Sequence, residues 1–107
     1  MSAITTHVLD TARGVPAAGV PVSLQLRLPD GAWKELRNEV TNPDGRANLA
    51  TGGFVAGVYR IIFGTVSYMP DGLYPEVTVT FHVRDAARHY HIPLLLSPYG
   101  YTTYRGS

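Results

Sequence analysis

The 107-residue sequence contains no cysteine, almost no excess charge and no long apolar run. Without cysteine, the chain can form neither disulfides nor thiolate nucleophiles nor cysteine-ligated metal sites. A formal net charge of +1 provides no basic surface for nucleic acid or for an anionic membrane. No apolar run is long enough to span a bilayer, and residues 1–10 lack the basic and then apolar layout of a signal peptide. We therefore expect a cytoplasmic protein that binds neither nucleic acid nor membrane.

The overall composition is typical of a globular protein. Hydrophobic residues make up 45% of the chain and charged residues 16%. No repeat, linker or low-complexity tract divides the sequence, which predicts a single domain over residues 1–107. The low charged fraction also leaves room for an oligomer interface, where charge is depleted.

Alternating apolar and polar residues predict short β-strands along the chain. The pattern is strongest in residues 20–28 (VPVSLQLRL) and recurs in residues 75–83 (PEVTVTFHV). Glycine and proline turns such as residues 29–31 (PDG) separate the strands. Residues 64–74 form the one segment where a helical turn fits, and Pro70 keeps any such helix very short. About seven or eight strands with these turns predict an all-β sandwich.

The C-terminal segment, residues 90–107, is unusually rich in aromatic and apolar residues for a chain end. On a strand, successive side chains point to opposite faces. One face then carries only large apolar side chains, those of Tyr90, Ile92, Leu94 and Leu96. The other face is mixed, as expected for a binding or subunit surface, and carries His91, Pro93 and Leu95.

The residues that offer chemistry are histidines and one arginine. His7 and His91 are candidate proton carriers, because histidine titrates near neutral pH. Arg46 follows a turn and is a fixed cation suited to an anionic or carbonyl-rich ligand, although its spacing alone favours an ordinary surface residue. His89 and His91 lie two apart on one strand face and resemble half of a metal site. We interpret His82 and His89 as ordinary surface histidines.

Three motifs resemble those of the transthyretin family, and the resemblance extends over residues 4–107. Residues 7–10 (HVLD), followed by residues 14–17 (GVPA), are similar to its amino-terminal signature. Residues 90–93 (YHIP), which run into residues 96–101 (LSPYGY), are similar to its carboxy-terminal signature. The final tetrapeptide, residues 104–107 (YRGS), resembles the one that separates the 5-hydroxyisourate hydrolase branch from the hormone carriers. Carriers also lack the two histidines and the arginine at the positions of His7, His91 and Arg46.

The resemblance implies a fold and an assembly. The fold is a transthyretin-like β-sandwich of two four-stranded sheets with at most one very short helix. The assembly is a homotetramer whose active sites lie at the dimer–dimer interface. The chain between Phe63 and Pro75 is shorter than is usual in the family, so we expect the family's short helix to be reduced or absent.

The resemblance also implies an activity: hydrolysis of 5-hydroxyisourate, which opens its six-membered ring at an amide bond and yields the hydroxy-carboxy-ureidoimidazoline product. His7 and His91 would activate water and transfer protons, without assignment of which is the base. Arg46 would bind the substrate and offset negative charge. Ser107 would position water through its hydroxyl or its terminal carboxylate. Further substrate contacts are expected from the aromatic and apolar side chains of Tyr104 and Leu95, and neither a cofactor nor a metal is expected.

Three other interpretations remain open at this stage. The first is a non-catalytic transthyretin-like carrier of a small aromatic ligand. The second is a metal-binding sandwich that uses His89 and His91. The third is a structural or adhesive sandwich domain. A carrier has no evident use for two imidazoles and a cation in one pocket, and a structural domain does not account for a polar face beside an ordered terminus.

Overall fold

The computed structural model describes residues 2–107, which fold as two β-sheets packed face to face. In chain order the elements of this part of the chain are β1 (Ala3–Asp10), β2 (Val15–Pro16), β3 (Pro21–Arg27), β4 (Trp33–Val40), β5 (Arg46–Thr51), β6 (Gly57–Phe63), a 3₁₀ turn (Thr65–Ser67), β7 (Val77–Val83), β8 (His89–Ser97) and β9 (Gly100–Thr103). The all-β sandwich predicted from the alternation is confirmed.

The first sheet is organised around β1. Its whole length pairs in parallel with β8, and β9 pairs antiparallel with the far edge of β8. The free edge of β1 is shared end to end by β5 and the two-residue β2. This sheet therefore contains five strands but is four strands wide. The second sheet has the order β4-β3-β6-β7 with antiparallel neighbours. The predicted arrangement of two four-stranded layers is confirmed, with β2 as a short addition.

The core lies between the sheets and confirms the predicted inner face of β8. Tyr90, Ile92, Leu94 and Leu96 are all at most 5% exposed. Tyr90, Ile92 and Leu94 belong to one core cluster with buried side chains of both sheets, among them Val8 of β1 and Tyr59 and Phe63 of β6. Burying a side chain of this kind contributes roughly 1.5–3 kcal/mol, so β8 is held firmly from its inner side.

The outer face of β8 is only partly as predicted. His91 and Leu95 are half-buried, but Pro93 is buried. The reason is the chain terminus, which folds back over this face: a Cβ placed on Gly106 would lie 3.4 Å from Cγ of Pro93. The expectation that Pro93 forms part of an open surface was therefore wrong.

The segment after β6 confirms the prediction of a reduced helix, because it contains only the three-residue 3₁₀ turn. Among residues 2–107, no helix is long and apolar enough to cross a membrane. That residues 1–107 form a single domain stays a prediction.

Asp10 fixes the turn that follows β1. Its carboxylate accepts hydrogen bonds from the N–H groups of Ala12 and Arg13, both at 3.0 Å, and from the hydroxyl of Tyr68 at 2.8 Å. Burial pushes the pKa of Asp10 up, but the hydrogen bonds from Arg13, Tyr68 and Ala12 outweigh it and hold the pKa below its ordinary value of 3.8. The carboxylate thus ties β1 to the segment after β6.

Candidate active site

An open cavity of about 520 Å³ lies on the outer face of the first sheet, where β5, β1 and β8 run side by side. Its lining brings together side chains that are far apart in the sequence, including Thr5, Arg46, Asn48, His89, His91 and Ser107. Three of the residues predicted to be catalytic therefore share one cavity: Arg46, His91 and Ser107.

The strand register explains why these side chains meet. Thr5 of β1 lies opposite His91 of β8 and, on its other side, opposite Asn48 of β5. Residues directly opposite each other in a sheet project from the same face. The outer face of the sheet thus carries a polar row that crosses three strands, and the core occupies the other face.

The imidazole of His91 is held from its own sheet. A hydrogen bond of 2.7 Å joins its Nδ1 to Oγ1 of Thr5, and the same hydroxyl lies 3.0 Å from Nε2 of His89. Burial, followed by the charges of Arg46, His89 and His7, lowers the pKa of His91 below its ordinary value of 6.5. A neutral imidazole at neutral pH is the form that can accept a proton.

The final residues of the chain are docked against β8. The N–H of Gly106 donates to the carbonyl oxygen of His91 at 2.8 Å, which forms an isolated bridge to the strand. The guanidinium of Arg105 donates to the carbonyl oxygen of His89 at 3.1 Å and lies 4.4 Å from the ring centre of Tyr90. These contacts deliver Ser107, with its hydroxyl and terminal carboxylate, to the edge of the cavity.

Arg46 is delivered to the cavity by a rigid turn. The side chain of Asn42 accepts hydrogen bonds from the N–H groups of Asp44 and Arg46, both at 2.9 Å. Gly45 has φ +75° and lies so close to the carbonyl oxygen of Val8 that any Cβ would clash with it. Within residues 2–107, the Arg46 guanidinium forms neither an ion pair nor a hydrogen bond, so its donors are free for a ligand.

The other predicted site residues lie outside this cavity. His7 is half-buried on β1, opposite Arg46 and Pro93, at the next outward position beyond Thr5. Leu95 lies farther along β8, opposite Leu9. Because β9 ends at Thr103, Tyr104 leaves the strand and instead lines a second cavity of about 260 Å³. The roles of these three residues stay predictions.

Two residues of the cavity had not been singled out for it. His89 was interpreted as a surface histidine, yet it lines the cavity and shares Thr5 with His91. Thr5 received no role, although the alternation puts it on the same face as His7. The pairing of Thr5 with His91, which lie 86 positions apart, depends on the parallel register of β1 and β8, and no local pattern encodes it. Within the described residues 2–107, no group of three His, Asp or Glu side chains is arranged to hold a metal ion.

Comparison with known proteins places the chain in a family. The model of the HIUase/Transthyretin family matches residues 4–106, and the chain belongs to this family. It is 44% identical to mouse 5-hydroxyisourate hydrolase over 99% of this chain and 96% of that protein. The solved 5-hydroxyisourate hydrolase of Klebsiella pneumoniae is 33% identical with a TM-score of 0.86, covering 99% of this chain and 100% of the other. Sea bream transthyretin in complex with thyroxine is also 33% identical, with a TM-score of 0.91 over 96% of this chain and 93% of that one.

Proposed function

We propose that the protein is a hydrolase that acts on 5-hydroxyisourate at the cavity formed by β1, β5 and β8. One observation carries this proposal: the cavity joins His91, a free Arg46 guanidinium and the docked chain terminus. These groups match the needs of amide hydrolysis, which are an activated water, a stabilised oxyanion and a protonated leaving nitrogen. The 5-hydroxyisourate hydrolases among the relatives support the same activity.

Water activation is assigned to the imidazoles. His91 faces the cavity, and its lowered pKa keeps it neutral and able to accept a proton near pH 7. The attack of water on the ring carbonyl then produces a tetrahedral oxyanion, whose collapse breaks the amide bond and requires a proton on the leaving nitrogen. His7, on the same face, is the candidate for the second proton transfer.

Arg46 and Ser107 are assigned to binding and positioning. The free guanidinium offers several donors in a fixed plane, which suits a ring rich in carbonyl oxygens. One donor directed at the developing oxyanion is worth about 3 kcal/mol in the transition state. Ser107 lines the same cavity and would orient the attacking water through its hydroxyl or its carboxylate.

We further propose that the protein is a homotetramer with its sites at the dimer–dimer interface. In one protomer the cavity opens outward, and the half-buried apolar Leu9 and Leu95 lie on the same outer face. A second copy placed on this face would enclose the cavity and supply contacts that one chain lacks, including any made by Tyr104. The tetramer is tested by measuring mass in solution by light scattering while specific activity is followed through dissociation on dilution. Full activity of the dissociated protomer would contradict the shared site.

The activity is tested by following the decay of freshly generated 5-hydroxyisourate by ultraviolet absorbance. We expect acceleration by the wild type and a loss of about 10²- to 10⁴-fold in His91→Ala, the usual contribution of a general acid or base. His82→Ala is the matched control, because His82 is an exposed histidine on the other sheet. No acceleration by the folded wild-type protein would overturn the proposal.

A carrier of a small aromatic ligand is the second candidate, and the match to sea bream transthyretin is the observation that favours it. A TM-score compares backbones, however, whereas the distinction between carriers and hydrolases depends on side chains in the cavity. Neutral imidazole, guanidinium and the carboxy terminus are groups suited to proton transfer and to binding of charge. Tight binding of an aromatic ligand without turnover of 5-hydroxyisourate would favour the carrier.

The proposed reaction removes the unstable product of urate oxidation, which would place the protein in purine degradation. Location in the cytoplasm remains a prediction from the sequence.

A further inference from the structure

The hydroxyl of Thr5 lies between two imidazoles. Its Oγ1 is 2.7 Å from Nδ1 of His91 and 3.0 Å from Nε2 of His89. The two rings have centroids 6.3 Å apart and are inclined at 68°, so they are linked by the hydroxyl and are not stacked on each other. His89 is exposed, whereas His91 is half-buried. The hydroxyl therefore connects a histidine at the cavity with one in contact with solvent.

The number of available protons allows few hydrogen-bonding arrangements for the triplet formed by Thr5, His89 and His91. A hydroxyl donates one hydrogen bond, and a neutral imidazole has one N–H and one bare nitrogen. If Nδ1 of His91 carries the proton, it donates to Thr5, and Thr5 donates to Nε2 of His89. If the hydroxyl instead donates to Nδ1 of His91, then Nε2 of His89 must be the donor to the hydroxyl. The tautomers of the two histidines are therefore coupled through one side chain.

The first arrangement is the one that suits a base. Because Nδ1 of His91 is engaged with Thr5, its Nε2 is the nitrogen left to act on water or substrate, and within residues 2–107 this nitrogen makes no hydrogen bond. The charged and titratable groups that act on the ring are Arg46 on β5, His89 on β8 and His7 on β1. Glu39 on β4 and the terminal Ser107 line the same cavity, and the Arg105 guanidinium donates to the carbonyl oxygen of His89.

We propose that Thr5 is a positioning residue, which holds His91 with the proton on Nδ1 and a bare Nε2, and connects it to His89 as a proton exit. When Nε2 takes a proton from the attacking water, Nδ1 can pass its proton to Oγ1, and Oγ1 gives its own proton to Nε2 of His89. His91 is left neutral with its proton on Nε2, and His89 releases the extra proton to solvent through its other ring nitrogen. The leaving nitrogen receives its proton from His7, the candidate for the second proton transfer. This use of the triplet rests on the proposed hydrolase function.

Thr5→Val tests the hydroxyl, because valine keeps the branched shape and removes the donor and acceptor. We expect kcat to fall about 10- to 100-fold, the scale seen when the hydrogen-bond partner that orients a metal-ligating histidine is removed, while KM changes little. Thr5→Ser keeps the hydroxyl and should restore most of kcat. Thr78→Val is the matched control on the exposed face of β7, in the other sheet.

His89→Ala tests the exit separately. It leaves the Thr5–His91 bond in place but removes the group that takes the proton from Thr5. We expect a smaller loss of kcat than in Thr5→Val, and recovery when imidazole is added to the assay, since imidazole can occupy the vacated position and accept the proton. A merely structural role of His89 would not respond to added imidazole.

A readout independent of activity is the ¹⁵N chemical shift of the His91 ring nitrogens above the pH at which it titrates. We expect the Nδ1–H tautomer in the wild type and in Thr5→Ser, and loss of this preference in Thr5→Val. An Nε2–H tautomer in the resting wild type, or unchanged kcat and tautomer in folded Thr5→Val, would overturn the proposal. If the tautomer behaves as expected but no variant hydrolyses 5-hydroxyisourate, the positioning stands and the proposed function fails.

Discussion

The docking of the chain terminus against β8 leaves no room for a side chain at Gly106. A Cβ at this position would lie 2.6 Å from Cδ2 of His91 and 3.3 Å from its Cγ. Carbon atoms prefer to be about 3.5–4.0 Å apart. Alanine would therefore push the tail and the imidazole about 1 Å farther from each other. His91 does not move freely, because its ring is hydrogen-bonded to Thr5 and its carbonyl oxygen accepts a hydrogen bond from the N–H of Gly106. The methyl group must therefore either displace the imidazole or undock the tail and Ser107.

Both responses should damage the site more than the fold. Overpacking of this kind costs about 1–3 kcal/mol, and undocking the exposed tail limits the loss of stability. A displacement of about 1 Å in a catalytic group can cost about 10²-fold in rate. For Gly106→Ala we therefore expect kcat/KM for 5-hydroxyisourate to fall about 100-fold while the cooperative unfolding transition persists.

Gly100→Ala is the matched control for this experiment. Gly100 lies on β9 in the same C-terminal segment, and an added Cβ would meet only Oγ of Ser97 at 3.7 Å, an ordinary contact. Kinetics by ultraviolet absorbance and thermal melts would be recorded for both variants. If Gly106→Ala has the kcat/KM of the wild type, or if both alanine variants lose activity equally, the reasoning about His91 and the tail is refuted.

Three further predictions concern charge and the chain ends. Arg46→Gln removes a cation that lowers the pKa of His91, so the acidic limb of the kcat/KM profile should move to higher pH. Arg84→Gln, directly after β7 of the other sheet, should leave it in place. Asp10→Ala should lower the free energy of unfolding in urea by about 2–4 kcal/mol, since bonds to a charged group are lost. Folding lowers the pKa of Asp10, so the stability gained from its charged carboxylate should be fully present above pH 3.8 and be lost as the pH falls through the folded pKa. A difference in free energy of unfolding between the two proteins that stays constant with pH would contradict this role of the carboxylate. A C-terminal tag should reduce activity more than an N-terminal one, and equal turnover would refute a role for Ser107.

Much of the fold was accessible from the sequence because the hydrophobic alternation is regular. Residues 20–28 and 75–83 were predicted as strands, and β3 and β7 lie within them. The buried face of β8 followed from the same alternation. The burial of Pro93 did not, because the residue that covers it, Gly106, belongs to a tail whose path depends on tertiary contacts.

The site was predictable only in part, and for a different reason. Arg46, His91 and Ser107 were named through resemblance to a family, since their spacing alone did not distinguish them from surface residues. Thr5 and His89 were missed because their roles arise from the pairing of two strands at opposite ends of the chain. The expected position of Tyr104 assumed that β9 continues, whereas the strand ends at Thr103.

The position of β8 explains how one strand can serve both the core and the site. It pairs with the whole length of β1 on one edge, and on the other edge it pairs with β9 from Leu94 to Ser97 and with Gly106 at His91. Its inner face is buried. Its outward residues His89 and His91 are therefore mounted on one of the best-supported strands of the sheet, where a catalytic geometry is held more precisely than on a loop. The side chains of Arg46 and Ser107, in contrast, are exposed, at the first position of β5 and at the chain end. Adjustment to a substrate is therefore expected in these two residues, while the imidazoles provide the fixed reference.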